Sequence, residues 1–383
     1  MPTTVVVVGA GIAGLLAARA LAEAGHHVVV LDKGSVVGGR LATRRLSAGP
    51  HGDALVDSGA QFFTARSGEL APLVTSWLER GVARPWFAGK STSDDDLHYC
   101  ATGGMAALAA ELARGLDVRC GHVVTAITPH ARAGATHLGG SLGHLVGSQH
   151  RHWRIRARAH GVDTVLDAAA VVVTAPVPQA RALLLAGGTP LTAADDEQLR
   201  VVTYTSCLAV LAVLDGPSGI EAPGARRVGG PVVDWVADNA AKGISPWPAV
   251  TIHASASFSA EHGTGPRRSR ARSGSERTDD RRDDRRDDRR DDTVAQLLLD
   301  EVGLAGRLLG APSRHGNDSR RLAPIVVERW RYAKPVDTAP GDVLVLDGVP
   351  PAVLAGDGFG GPRVESAALS GLTAGRTMVE LLA

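Results

Sequence analysis

Three short stretches carry glycine in patterns that bring backbone N–H groups to an anion. In "GAGIAG", Gly9 permits a tight turn, Gly11 removes the Cβ that would hold a pyrophosphate away, and Gly14 lets the next helix pack on the preceding strand. In "GGRLATRR", Gly38 and Gly39 precede Arg40, whose guanidinium can meet a phosphate with two donors. In "AGDGFGG", Gly356 and Asp357 end a short apolar segment and lead into a helix-like run. Asp32 closes the apolar run "HVVVLD", where a carboxylate accepts both hydroxyls of a ribose. Together these residues predict a site for a dinucleotide containing adenosine diphosphate. A βαβ packing turn without a ligand is the plainer alternative.

The elements that must position them are legible in outline. "VVVV" (5 to 8) reads as a parallel strand buried on both faces, followed by a helix whose Leu15, Leu16, Ala18, Leu21 and Ala22 form an apolar face and which stops at Gly25. "HVVVLD" then closes a βαβ unit. Further on, "GELAPLVTSWLERG" predicts a helix and "ARPWFAGK" a strand. Hairpin strands follow in "DVRCGHVVTAITPH" and "HRHWRIRARA", with a buried strand at 170–174 and a helix after Pro176. Strand-like runs crowd 201–257, which predicts a mixed or antiparallel sheet, and a last helix runs from Val364 to Leu381. The fold class is α/β, a Rossmann-type cofactor domain with a second, mixed-sheet domain for a substrate.

At 383 residues the chain exceeds what one core usually supports, so two domains are expected. The net charge of +1 gives no field that gathers nucleic acid or an anionic membrane. Cys100, Cys120 and Cys207 form no paired motif, which speaks against disulfides or zinc and for a reducing cytoplasm. The start of the chain lacks the features of a secretion signal, and no apolar run is long enough for a transmembrane helix.

With GxGxxG, an acid and GG-Arg in this order, the sequence resembles the FAD-containing amine oxidase superfamily, with Asp32 where glutamate is usual. "DSGAQFFTAR" (57–66), "HYCATGGMAAL" (98–108), "ERWRYAKP" (328–335) and "AGDGFGGPRVESAALSG" resemble its renalase-like branch, bacterial members included. The resemblance implies non-covalent FAD in a GR2-like Rossmann domain. It assigns to the cofactor the first turn (Gly9, Gly11, Ile12, Ala13, Gly14), the strand end (Asp32, Lys33) and the second turn (Gly39, Arg40). It adds Ala60, Gln61 and Phe62 beside the flavin, Val123 through its backbone at the adenine, and Gly356, Asp357, Val364 and Glu365 at the far end. The terminal strand is implied to return beside the first. The cofactor domain is then 1–66, 99–180 and 336–383, and the substrate domain 67–98 and 181–335.

Amine oxidases of the superfamily flank their substrate with an aromatic cage and a lysine, yet aromatic residues make up 4% of this chain and "LDGVPPAVLA" before Gly356 contains none. Gln61, Trp330 and Tyr332 are the candidates for a substrate cavity, with Lys334 a further cation; no catalytic residue is singled out. A dihydropyridine needs no base to lose hydride, and renalase-like proteins are understood to oxidise off-pathway isomers of reduced NAD(P) with O2, making hydrogen peroxide. That is the leading expectation. An amine oxidase or desaturase of a larger substrate, or a flavin-binding redox sensor without turnover, are the alternatives.

Two segments read as insertions. His130, His137, His144, His150 and His152 lie in a Gly- and Ser-rich stretch that predicts a long hairpin loop and no metal. "RTDDRRDDRRDDRRDDT" would stack like charges at i and i+4 in a helix, Asp279 over Asp283, so disorder is expected over 263–292.

Overall fold

Val5, Val6 and Val7 are wholly inaccessible to solvent, as an all-β-branched run must be when both its faces are covered. In the computed structural model, which describes residues 3–89, 97–131, 151–263, 280–309 and 325–383, they lie in the strand Thr4–Val8. That strand runs parallel between His27–Leu31 and Ala170–Val173, with Val5 opposite Val28 and Ala170. The helix Ile12–Glu23 makes the crossover, and Gly25, at φ +87°, turns the chain out of it. Asp117–Arg119 extends the sheet beyond His27–Leu31. On the other side Ala352–Ala355 pairs in parallel with Ala170–Val173, and Val343–Val345 adds an antiparallel edge.

The terminal strand therefore does not lie beside the first, contrary to the resemblance. Ala170–Val173 occupies that edge of Thr4–Val8 and separates the two. The last turn still reaches the first through Thr174, whose hydroxyl donates to the Val8 and Gly9 carbonyls at 3.1 and 3.2 Å. A Cβ on Gly356 would sit 3.8 Å from the Thr174 carbonyl oxygen.

The helices at the two ends of the chain also meet. Val364–Leu382 crosses Ile12–Glu23 so closely that a Cβ on Gly371 would lie 2.3 Å from the Ala13 carbonyl oxygen, and one on Gly375 2.6 Å from the Ala20 Cβ. Small residues at this crossing let the last helix begin beside the first turn.

The second sheet has five strands in the order Ala225–Arg227, Val233–Asp238, Ala249–Ala254, Tyr204–Val213 and Val326–Pro335, all antiparallel. Leu208, Val210 and Ala212 of the strand Tyr204–Val213 pack with Val294, Ala295, Leu298 and Leu299. Leu211 and Val213, which alternate with them, pack with Leu46, Ala54 and Val56 of the hairpin Thr43–Ser47 and Asp53–Asp57. The hairpin thus joins the two sheets.

The expected disorder over 263–292 is corrected in part, because Asp280–Glu301 is one helix. Its C-terminal turns are fixed by the buried Val294, Ala295, Leu298 and Leu299, and from such a packed end a helix grows at the cost of ordering one residue per hydrogen bond gained. Like charges at i and i+4 oppose this by only about 0.2–0.5 kcal/mol per pair. Residues 264–279 lie outside the described residues. So do 132–150 of the histidine-rich stretch, although its flanks, His122–Ala131 and Arg151–Ala159, pair antiparallel as a hairpin requires.

Gly371→Val should drive the two terminal helices apart. We expect chemical denaturation to read a loss of about 1–3 kcal/mol, the usual cost of overpacking, together with weakened flavin retention; an unchanged midpoint would mean that the helices do not touch here.

Candidate functional site

At the carboxyl ends of the parallel strands the three glycine turns close on one another. Gly9 adopts φ +111° and its N–H donates to the Leu31 carbonyl at 2.8 Å. The Gly38 N–H donates to the Ala10 carbonyl, also at 2.8 Å, so the second turn is laid directly on the first. A Cβ on Gly14 would fall 1.9 Å from the Gly9 carbonyl oxygen, whereas one on Gly11 would meet nothing within 4 Å. Gly14 is therefore a packing position, and Gly11 faces open space.

That space is a cavity of about 660 Å³. Gly11, Ile12, Ala13, Arg40, Ala60, Gly356, Asp357 and Val364, all expected at the cofactor, line it. Arg40 spans it. Its Nη2 donates to Asp357 Oδ1 at 2.7 Å while Nη1 reaches Asp357 Oδ2 and the carbonyls of Tyr332 and Ala333 at 3.2 and 3.3 Å. Burial opposes the Arg40 charge, but the Asp357 carboxylate outweighs it and holds the guanidinium pKa above its ordinary value. The Tyr204 hydroxyl donates to Asp357 Oδ1 at 3.2 Å, and burial, then the same carboxylate, push the phenol pKa up.

Other expected positions take different roles. Asp32 accepts from the backbone of Ala10 and of Gly34, each at 2.6 Å, which engages one lone pair on each oxygen and leaves another on each for a ribose. The His122 N–H donates to the Asp32 carbonyl at 2.8 Å, which puts Val123 one residue from the strand end. Lys33 donates to Gln179 at 3.4 Å. The Glu365 carboxylate does not face the cavity: it accepts from the Thr64 hydroxyl at 2.9 Å and the N–H groups of Arg66 and Ser67 at 2.5 and 2.7 Å, and so ties the 64–67 loop to the last helix. Tyr332 is absent from the cavity wall, since its ring packs edge-on against Tyr204 at 5.6 Å. Phe62 is absent too, gathered with Trp86, Phe87, His98 and Trp235 into an aromatic cluster.

Trp330 does line the cavity, and its indole N–H donates to the Ser58 carbonyl at 2.9 Å. The same carbonyl takes Nε2 of His253 at 3.3 Å. Burial pushes the His253 pKa down to about 4, and burial, then Asp234, push the Cys207 thiol up to about 12; both residues line the cavity. Asp234 pairs with Arg227 at 3.1 Å. Gln61 is buried, with Nε2 donating to the Asp57 and Gly59 carbonyls at 2.7 and 3.1 Å and Oε1 left without a partner. Such an orphaned acceptor beside Gly59 and Ala60 suits a bound group with an N–H. Open space at Gly11, free lone pairs on Asp32 and a last helix whose first turn no side chain caps all fit FAD.

Sequence reasoning missed His253, Cys207, Tyr204 and Lys242. The first three sit inside strand patterns that read only as strand. Lys242 is fully buried, with Nζ 2.5 Å from Asp57 Oδ2 and 4.9 Å from the centre of the Trp86 ring. Asp57 Oδ1 also accepts from Thr43 and from the Met105 N–H, at 2.6 and 2.8 Å. The block "DSGAQFFTAR" marked this region, but its cationic partner lies 185 residues away. Among the described residues no His, Cys, Asp or Glu cluster suits a metal, and no helix is long and apolar enough to cross a membrane.

Lys242→Met should cost about 3–5 kcal/mol in urea unfolding, because it leaves Asp57 charged and buried; an unchanged unfolding midpoint would show the pair to be unimportant. Asp357→Asn should weaken FAD retention about tenfold or more, a loss of roughly 1.4 kcal/mol, seen as a lower visible-to-ultraviolet absorbance ratio after dialysis. An unchanged ratio would remove Arg40 and Asp357 from the site.

Comparison with known proteins places this geometry. Residues 7–77 match an NAD(P)-binding Rossmann-like domain, and residues 78–379 match flavin containing amine oxidoreductase. Among solved structures, the chain is similar to a putative protoporphyrinogen oxidase from Exiguobacterium, at 13% identity, TM-score 0.62 and 99% coverage of both chains. It is similar to putrescine oxidase bound to putrescine, at 13% identity, TM-score 0.59 and again 99% of both chains. An oxidoreductase from Methanosarcina mazei follows at 15% identity and TM-score 0.54, with 97% of this chain and 99% of that one covered. At these identities the likeness is one of fold, and the family match spans most of the chain: the protein belongs to the flavin containing amine oxidoreductase family, and its cofactor is FAD.

Proposed function

We propose that the protein is a cytoplasmic, renalase-like oxidase that takes hydride from isomeric, off-pathway dihydronicotinamide NAD(P)H and passes the electrons to O2. The balance is one reduced isomer, one proton and O2 giving NAD(P)+ and hydrogen peroxide. FAD, bound non-covalently, supplies the two-electron acceptor. In this reading residues 1–66, 99–180 and 336–383 hold the cofactor, and 67–98 and 181–335 close the donor side.

One observation carries the reading: among the described residues of the cavity wall the carboxylates are ion-paired and the imidazole and thiol are shifted away from neutrality, while Lys334 and Arg363 add positive charge. Asp357 and Asp234 are paired with Arg40 and Arg227, the His253 pKa is near 4 and that of Cys207 near 12. A donor that must lose a proton as well as hydride would find, among the described residues of the wall, no unpaired carboxylate and no imidazole that titrates near pH 7. A dihydropyridine, whose product gains aromaticity, asks for none. Two further features support it. Among the described lining residues Trp330 is the only Trp, Tyr or Phe ring, so they form one side of an aromatic cage and not two. Lys334 and Arg363, both exposed at the wall, have no ion-pair partner among the described residues and suit a donor that carries phosphate.

The second reading, an amine oxidase, draws on the family match and on the cluster of Phe62, Trp86, Phe87 and Trp235 near the buried Lys242.

Anaerobic mixing of the yellow protein with 2- and 6-dihydro isomers of NAD(P)H should bleach the flavin quickly, and simple amines should not; bleaching by amines alone would reverse the assignment. The rate should stay flat from about pH 6 to 9. His253, held neutral by burial, takes its proton only as the pH falls toward about 4, so any loss belongs on the acid side of that plateau. A midpoint near 6.5 would contradict this account of the imidazole. The Cys207 thiol, with its pKa near 12, stays protonated over the same range, and acid precipitation should therefore release all the FAD into the supernatant.

A further inference from the structure

We propose that His253 is a specificity residue that accepts the carboxamide N–H of the donor ring at Nδ1. This rests on the nicotinamide reading above and adds to it the contact that recognises the ring substituent.

The Ser58 carbonyl sets the geometry. It is fully buried and accepts from two rings, Trp330 Nε1 at 2.9 Å and His253 Nε2 at 3.3 Å. A carbonyl oxygen has two lone pairs, so both are used, and neither ring can turn without leaving a buried N–H or part of that acceptor unpaired. Because a carbonyl cannot donate, His253 Nε2 carries the proton. A neutral imidazole has only one, and burial keeps this ring neutral, with its pKa near 4. Nδ1 is therefore a bare acceptor, and no donor among the described residues bonds to it.

The sheet places this acceptor on the same face as the indole. Cys207 lies opposite Trp330, and Ala209, two residues along the same strand, lies opposite His253. Residues opposite one another share a face, as do alternate residues of a strand. Cys207, His253 and Trp330 all line the cavity. The face thus presents a fixed indole beside a fixed neutral acceptor, which suits a flat ring carrying an N–H donor at its edge. A charged carboxylate in place of the carboxamide would meet the Nδ1 lone pair and be repelled. An acetyl group would leave Nδ1 unpaired.

The test uses the holoenzyme and 2- and 6-dihydro isomer mixtures of two dinucleotides, NAD+ and its 3-acetylpyridine analogue, the latter freed of product reduced at the acetyl carbonyl so that it has no N–H or O–H donor at that position. Anaerobic flavin bleaching by the wild type should favour the carboxamide about tenfold or more, one hydrogen bond's worth of discrimination. His253→Phe should lose that preference through a slower carboxamide reaction. His253→Gln, which can donate to Ser58 and still present an oxygen acceptor, should recover part of it. A wild type that reduces its flavin equally fast with both mixtures overturns the assignment of His253 alone, as does a His253→Phe enzyme that keeps the preference. A wild type bleached by neither mixture overturns the nicotinamide reading and this inference with it.

Discussion

The pair formed by Arg40 and Asp357 holds the site together. Its two members lie 317 residues apart, one in the turn laid on the first glycine loop and the other in the turn before the last helix. The guanidinium is planar and forked, so it fixes the angle as well as the distance between those turns. Its remaining reach, to the carbonyls of Tyr332 and Ala333, draws the outer strand of the antiparallel sheet to the same point, and Tyr204 ties in the strand beside it. The Rossmann layer, the antiparallel sheet and the last helix therefore meet at one charge pair. Such a pair, being partly desolvated, contributes more to geometry than to stability.

A second constraint acts at the other end of the cavity wall. The segment 57–61 leaves the hairpin that joins the sheets and is gripped by hydrogen bonds from Lys242, Thr251, Trp330 and His253. The groups that grip it come from the antiparallel sheet or the turn after one of its strands, and two of them, Trp330 and His253, border the cavity. Rigid positioning of neutral groups is what a hydride donor needs, because little is left for the protein to do beyond holding the ring and excluding alternatives.

Much of the Rossmann half was legible in the sequence, because its signals are local. "VVVVGAGIAG" contains a strand, a turn and a helix start in ten residues, and Gly25 and "HVVVLD" complete the unit. The order of strands was not legible: the uniformly apolar runs at 170 and 352 give no sign of which one borders the first, and only the packing puts Ala170–Val173 between. Gly11, Arg40, Gly356 and Asp357, one or more from each of the three turns, line one cavity, because glycine and arginine positions at such turns follow from backbone geometry. The partners of the Glu365 carboxylate were not legible either, since an acid at a helix start serves a neighbouring loop as readily as a ligand. His253 and Lys242 were invisible because their roles depend on partners at Ser58 and Asp57, close to two hundred residues away along the chain. The Asp/Arg run was misjudged because pairwise repulsion was weighed without the apolar turn of Val294–Leu299 that anchors it.

The central claim is that glycine turns far apart in the chain surround one cofactor, and amide hydrogen exchange reads it most directly. Adding FAD to apoprotein should slow exchange together in the segments around 9–14, 38–41 and 356–366, with one saturation point for all three. Protection confined to the first segment, or different saturation points among them, would contradict the account.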